Sequence, residues 1–265
     1  MKSNIFRMIR LLEVPGALGA FIRWPKFSLA AYQILSRLKH AGVNPATIID
    51  IGANVGQFSV AAINTFPNAV IYPIEPDEKT VQRLRKNVDT LIGKNIKVTA
   101  VGERNGIVRF NVNRDSQVSS ILPLGMDRIK SFPKSKVVNK ASVPLATLDS
   151  LFAADSLKKP ILVKIDVQGY EDNVIVGAIE LLKSVRWVIM EVSFAKLYEG
   201  EKTYESIINL MSSCGFAFVR PMNFHTSEVS GEIIEMDALF ELRSAMTQHS
   251  NNLLATACEN TDIHS

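Results

Sequence analysis

Residues 47–58 read TIIDIGANVGQF. A short run of mostly β-branched residues, 47–51, stops at Gly52, and from Gly56 the chain runs with helical character to residue 66, where Pro67 ends it. The order is strand, glycine-bearing turn, helix. Working outward, a second apolar run at 70–74 precedes Glu75-Pro76-Asp77, and in 78–91 Val81, Leu84, Val88 and Leu91 recur at helical spacing. A third run, 96–101, follows Gly93. Short Val/Ile-rich runs alternating with amphipathic stretches predict an α/β fold with a mostly parallel sheet and helices on both faces.

Residues 105–148 break the pattern. The segment 107–112 alternates like a strand and is followed by polar, proline-bearing sequence without helical period, so it reads as a hairpin-and-loop insertion. Strand 161–167, a helix over 170–182, strand 187–192 and a helix over 204–213 resume the alternation. Segments 216–220 and 233–242 then read as strands of an antiparallel hairpin at the sheet edge, with 221–231 as a loop between them.

Composition sets bounds on function. The chain has 265 residues, 47% hydrophobic and 21% charged, which excludes a disordered or fibrous protein. A net charge of +4 is too small an excess to argue for nucleic acid. Cys214 and Cys258 are the two cysteines, without CxxC spacing, so neither a disulfide framework nor a structural zinc site is readable and a reducing, cytoplasmic compartment is expected. No apolar run reaches the roughly 18 residues of a membrane span. Glu13, Pro15 and Gly16 interrupt what would be the apolar core of a signal peptide. Ile5, Met8, Ile9 and Leu12 form a stripe among basic residues, which could lie peripherally on a membrane, although packing on the main domain is the plainer reading. The expected organisation is an N-terminal helical segment, 1–44, a cofactor-binding domain, 45–243, and a flexible tail, 244–265.

The chemistry is concentrated at the strand ends. Gly52 and Gly56 let the backbone approach a ligand at the carboxyl edge of the sheet. Glu75, at the end of the next strand, is placed to accept two hydrogen bonds from a ribose diol. The turn is GxxxG and lacks the middle glycine that makes room for a pyrophosphate, while Asp50 would repel a diphosphate and suit an ammonium group. S-adenosylmethionine (SAM) therefore fits better than NAD. Asn54 and Phe58 in the same stretch and Pro76 beside Glu75 complete the expected cofactor surface. An NAD-dependent oxidoreductase using the same crevice, or a binding module that keeps the fold without catalysis, are the alternatives from other classes.

Four stretches in order carry a resemblance: IIDIGANVGQFS at 48–59, IEPD at 74–77, TLDSL at 147–151, and LVKIDVQGYE at 162–171 followed by VIVGAIELL. Together they resemble the FkbM family of class I SAM-dependent methyltransferases. The resemblance implies a seven-stranded Rossmann-like sheet ending in an antiparallel pair. It also implies methyl transfer, usually to oxygen, leaving S-adenosylhomocysteine. Oxygen on a sugar, glycan or polyketide-like small molecule is the acceptor it favours; it fixes neither that acceptor nor an oligomeric state.

Asp166 and Glu191, at the ends of their strands, are the first acid-base candidates, and His225 is a third if segment 216–220 runs parallel to the core strands. Asp166 also borders the cofactor crevice. Gly102 and Glu103 follow the third strand, where adenine stacks in this fold, so Glu103 is a candidate for the exocyclic amine. Ser119, in the Ser119-Ser120 pair, resembles a crevice-facing feature of the family, though loop serines more often bond their own backbone. The family's DVEG reads Asp166-Val167-Gln168-Gly169 here, so one carboxylate is replaced by an amide. Some related enzymes bind a divalent cation with such carboxylates; the amide weakens that case, and no metal ligand is assigned. Glu171, at the start of the next helix, reads equally as a carboxylate complementing the helix dipole.

Overall fold

The computed structural model describes residue 19 and residues 28–243 other than 93, 133–136 and 228. The stripe of Ile5, Met8, Ile9 and Leu12 and the expected tail lie outside the described residues. The first described helix, α1 (Leu29–His40), is capped by Ser28, whose side chain accepts the Ala31 N–H, and closes with Arg37, Lys39 and His40 in its last turn, where cations complement the dipole. Strand β1 (Thr47–Ile51) follows, then α2 (Gln57–Thr65), β2 (Val70–Ile74) and α3 (Glu78–Ile92).

β1 and the later strand β6 (Ile161–Ile165) are buried at every residue, as parallel strands covered on both faces must be. Their side chains alternate between two cores. Ile48 and Leu162 join Tyr32, Leu35, Phe58 and Leu84 beneath α1–α3. Ile49 and Val163 pack on the other face with Val174, Leu181, Ile207 and Phe216. β7 (Val185–Ser193) pairs with β6 in parallel; β8 (Phe216–Thr226) and β9 (Ile233–Leu242) close the edge in antiparallel pairing, and α8 (Tyr204–Ser213) precedes them. The strand order is β2-β1-β6-β7-β9-β8. The chain leaves β1 for β2 on one side and returns to β6 on the other, so the crevice at the carboxyl ends of β1 and β6 is the topological switch point where open α/β sheets bind ligands.

Five expectations are corrected in detail. Among the described residues the main sheet has six strands. Run 96–101 touches β2 through a single bridge, Ile74 to Lys97, and then turns away as β3 (Ala100–Val101) to pair with β5 (Val137–Ala146) of the insertion. β5 pairs in turn with β4 (Gly106–Asn113), so the insertion is a hairpin as expected, but it also carries a short helix, α4 (Met126–Ser131). The helix expected over 170–182 is two, α6 (Glu171–Val176) and α7 (Ile179–Leu182), with α5 (Leu148–Leu151) packed beside the break. A Cβ at Gly177 would lie 1.9 Å from the Gly102 carbonyl oxygen, so the chain is pinned there by backbone contact. Finally, β8 continues to Thr226 through Pro221, which an edge strand tolerates. His225 is therefore a strand residue.

Candidate active site

A cavity of about 470 Å³ opens at the carboxyl ends of the strands and is walled on one side by α1 and on another by the insertion. At its β2 end the Gly52 and Ala53 N–H groups both donate to the Ile74 carbonyl at 3.0 Å, which turns the chain sharply after β1. Asn54 then takes a left-handed φ of 49°, and its N–H donates to Glu75 Oε2 at 3.0 Å. Asp77 N–H donates to the other oxygen, Oε1, at 3.1 Å. Glu75 is thus clamped at the cavity wall with one lone pair spent on each oxygen and one on each left for a ligand. Burial pushes its carboxyl up to about 7, against the two backbone N–H groups that pull it down. Ser116 Oγ donates to Asn54 Oδ1 at 2.8 Å and ties the insertion to this turn.

The other end lies over β7, β9 and β8, three to five strand positions from β2 in the sheet order and roughly 14–24 Å away at about 4.8 Å per strand. Here Glu191, His225 and Asp237 face the cavity together. His225 Nε2 is 3.3 Å from Asp237 Oδ2 and 3.8 Å from Glu191 Oε1. The Asp237 hydrogen bond raises the imidazole above its usual range, against burial, so it is biased toward its charged form. Burial, then the neighbouring carboxylates Glu235, Asp166 and Asp237, drives Glu191 well above the ordinary carboxylate range. Between the two ends stands Asp166. Burial would raise it, but Lys164 at 3.0 Å and the Gln168 amide at 2.8 Å hold it low.

Residues 50–218 match the Methyltransferase FkbM domain. This chain belongs to the FkbM methyltransferase family. Among curated relatives, the chain is 28% identical to the 2-O-methyltransferase NoeI of Sinorhizobium fredii, over 72% of its own length and 81% of that protein's. It is also 28% identical to the hexuronic acid methyltransferase AglP of Haloferax volcanii, over 72% of its own length and 77% of that protein's. Among solved structures, the Streptococcus pneumoniae protein Sp1610 in complex with SAM aligns with a TM-score of 0.46 at 13% identity, covering 82% of this chain and 73% of that one.

As an FkbM methyltransferase the protein uses SAM, and the residues present fit that cofactor. Gly52 bares the backbone at the turn, Glu75 keeps two free acceptor positions for a diol, and the lining holds more acids than bases, which suits a sulfonium cation. Of the residues expected at the cofactor or at the reacting groups, Gly52, Asn54, Phe58, Glu75, Pro76, Ser119, Asp166, Glu191 and His225 line the cavity. Ser119 Oγ accepts the Asn113 N–H at 2.9 Å, so it fixes the insertion while facing the cavity.

Four expected cofactor residues of the FkbM chain do not reach the cavity. Asp50 is wholly buried beneath the turn, where Ser59 Oγ donates to it at 2.6 Å and Lys164 sits 3.5 Å away, so its charge is spent inside the domain. Gly56 is needed for helix packing, since a Cβ there would lie 2.9 Å from Leu84 Cδ1 on α3. Gly102 is pressed against Tyr170 and Leu145. Glu103 accepts the Tyr170 hydroxyl at 2.8 Å and pairs with Arg104, which turns it away. Glu171 is also internal: it is buried and accepts the Val167 N–H at 3.0 Å.

Sequence reasoning missed Lys164, Glu235, Asp237 and Arg128 in this site. Lys164 was legible as the charged residue in an apolar strand run, two positions before Asp166. Glu235 and Asp237 alternate along β9 onto one face and pair in register with His225 and Asn223 of β8. Arg128, on α4, lies 3.5 Å from Glu235 and over the Phe132 ring; no periodicity marked it. Among the described residues no three His, Cys, Asp or Glu side chains are grouped to hold a metal ion, and no helix is long and apolar enough to cross a membrane.

Proposed function

We propose that this enzyme methylates a hydroxyl group of a sugar or glycan. The names of the two curated relatives, a 2-O-methyltransferase and a hexuronic acid methyltransferase, support a hydroxyl-bearing carbohydrate acceptor. In this reading residues 45–243 carry the catalysis, and α1 completes the pocket through Ala31 and Ile34. SAM supplies an electrophilic methyl group, which an alcohol attacks in line from the side opposite the sulfur.

The observation that carries the proposal is the cluster of Glu191, His225 and Asp237 at the end of the cavity away from Glu75. An alcohol must lose its proton as it attacks, and a base works best with a pKa near the operating pH. Glu191, raised by burial and by its acidic neighbours, is the more basic of the two carboxylates, since Lys164 holds Asp166 ionised and weakly basic. Glu191 takes the hydroxyl proton; His225, oriented by Asp237, offers its charge to the ionised Glu191. Asp166 orients the reacting groups at the switch point.

The test is methyl transfer by the full chain from 13C-methyl SAM to a panel of neutral hexoses, 6-deoxyhexoses and hexuronic acids, free and in oligosaccharides. A labelled methyl ether that survives mild base is the expected product. Label released by mild base, as from an ester, label on nitrogen, or no label on any sugar would overturn the proposal.

A further inference from the structure

Gln168 occupies the left-handed region with φ 62°, an uncommon place for a residue with a side chain. Its backbone carbonyl accepts the buried Ser120 hydroxyl at 2.6 Å, so the insertion clamps the turn from above. Its side-chain amide is used at both ends. Nε2 donates to Asp166 Oδ1 at 2.8 Å and to Glu191 Oε2 at 2.7 Å, and Oε1 accepts the Tyr198 hydroxyl at 2.7 Å. The orientation follows from the partners: the ionised Asp166 only accepts, so the NH2 group faces it and the carbonyl faces the phenol.

The surroundings explain why a neutral donor matters. Asp166 and Glu191 stand among Glu171 of α6, Glu235 and Asp237 of β9 and the buried Asp50 of β1. The cations nearby are Lys164, committed to Asp50 and Asp166, Arg128 beside Glu235, and His225. A glutamate at 168, as the family resemblance leads one to expect, would add another acid with no N–H to give. A cation would meet the amide hydrogens in the gap between the two carboxylates.

We propose that Gln168 is a positioning residue for methyl transfer: its amide holds Asp166 and Glu191 in one fixed arrangement, one N–H on each. An uncharged group thereby does what a shared proton or a bound cation would otherwise do. The inference rests on Glu191 as the base of the proposed reaction, and it is tested with and without an acceptor.

The experiment compares the full-length wild type with Gln168→Met, Gln168→Glu and Tyr198→Phe. Without acceptor, 13C-carboxyl NMR titrations are followed, the Asp166 and Glu191 signals being assigned by their loss in Asp166→Asn and Glu191→Gln. Removing a donor from a carboxylate favours its neutral form, so Gln168→Met should move both midpoints up by about one pH unit, and Gln168→Glu further. Tyr198→Phe, which keeps the amide but frees its carbonyl, should give a smaller shift of the same sign. With acceptor, kcat should fall by about tenfold or more in both Gln168 variants, its acidic limb moving up in step, while KM for SAM stays within roughly twofold. Unchanged midpoints and an unchanged kcat profile in the folded variants would overturn the inference. Should the Gln168 variants fail to fold, the same result in Tyr198→Phe would overturn it. Shifted midpoints in a protein that methylates no sugar would uphold the role of Gln168 and overturn the acceptor instead.

Discussion

Lys164 and Asp50 face each other at paired positions of β6 and β1, with Nζ 3.5 Å from Oδ1 and Asp50 wholly shielded from solvent. Parallel register puts them side by side, and both side chains fall on the face beneath α2, where Ser59 completes the arrangement. Loss of the Asp50 carboxylate leaves the buried Ser59 hydroxyl without its acceptor and Lys164 with Asp166 alone, at a cost of about 1–3 kcal/mol. Asp50→Ala should therefore lower the thermal midpoint strongly, whereas S-adenosylhomocysteine affinity of the folded fraction, measured by calorimetry, should change by less than roughly threefold. A large loss of affinity at unchanged stability would assign Asp50 to the ligand instead.

Gly52 combines φ 76° with a direction in which a Cβ would lie 1.8 Å from the Asp166 carbonyl oxygen. Gly42 has nearly the same φ, 77°, and open space around it. Gly42→Ala should cost about 1 kcal/mol of stability, the ordinary penalty for a left-handed alanine. Gly52→Ala adds a backbone clash at the switch point and should cost several-fold more. Denaturant unfolding of both variants separates conformational strain from steric exclusion.

Cofactor affinity should depend on pH through Glu75. Its carboxyl titrates at about 7, so its ionised form, the better acceptor for a diol, gains population as pH rises from 6 to 8. S-adenosylhomocysteine should bind more tightly over that range, by at most about tenfold per pH unit below the midpoint. Glu75→Gln should bind weakly at every pH and lose the slope, which isothermal titrations at several pH values will reveal.

Glu171 carries a different linkage, because it is internal and titrates at about 8. Its folded pKa lies above that of an unfolded glutamate, so the folded state retains a proton the unfolded state releases. The resulting stability is complete below about pH 4.5 and is lost as pH rises through 8, with a slope of at most about 1.4 kcal/mol per pH unit. Glu75 and Glu235, both near 7, add to the same trend. Denaturation should therefore become easier from pH 5 to 8.5, and Glu171→Gln should flatten the decline.

Glu191→Gln removes the proposed base without changing the shape of the pocket. Its kcat should drop by about 10²–10⁴-fold with cofactor affinity preserved. Single-turnover rates with a productive acceptor provide the check.

Much of this was legible in the sequence. Alternation of β-branched runs with helical stripes gave β1, β2, β6 and β7 and placed Glu75, Asp166 and Glu191 at strand ends, because a parallel sheet forces that periodicity. The fate of Asp50 was not legible: a carboxylate near a turn reads the same whether it meets a ligand or a lysine on the adjacent strand, and only register decides. Glycine is equally ambiguous. Gly52 yields space to the Asp166 turn and the cavity, Gly56 to Leu84, and Gly102 to Tyr170, yet each appears in sequence as a flexible turn. Pro221 ended the expected strand early because its edge position, where a missing N–H costs little, depends on tertiary order. Gln168 looked like a lost charge; two of its three side-chain hydrogen bonds are to Glu191 and Tyr198, 23 and 30 positions further along the chain.

The helix α1 belongs to no motif, yet Ala30, Ala31 and Ile34 on it form part of the chamber wall. The room in that chamber is thus partly set by two alanines upstream of any recognisable signature. Relatives that share every strand-end residue but carry larger side chains at those positions should sort their substrates differently. Re-tailoring the enzyme for a new acceptor would begin there.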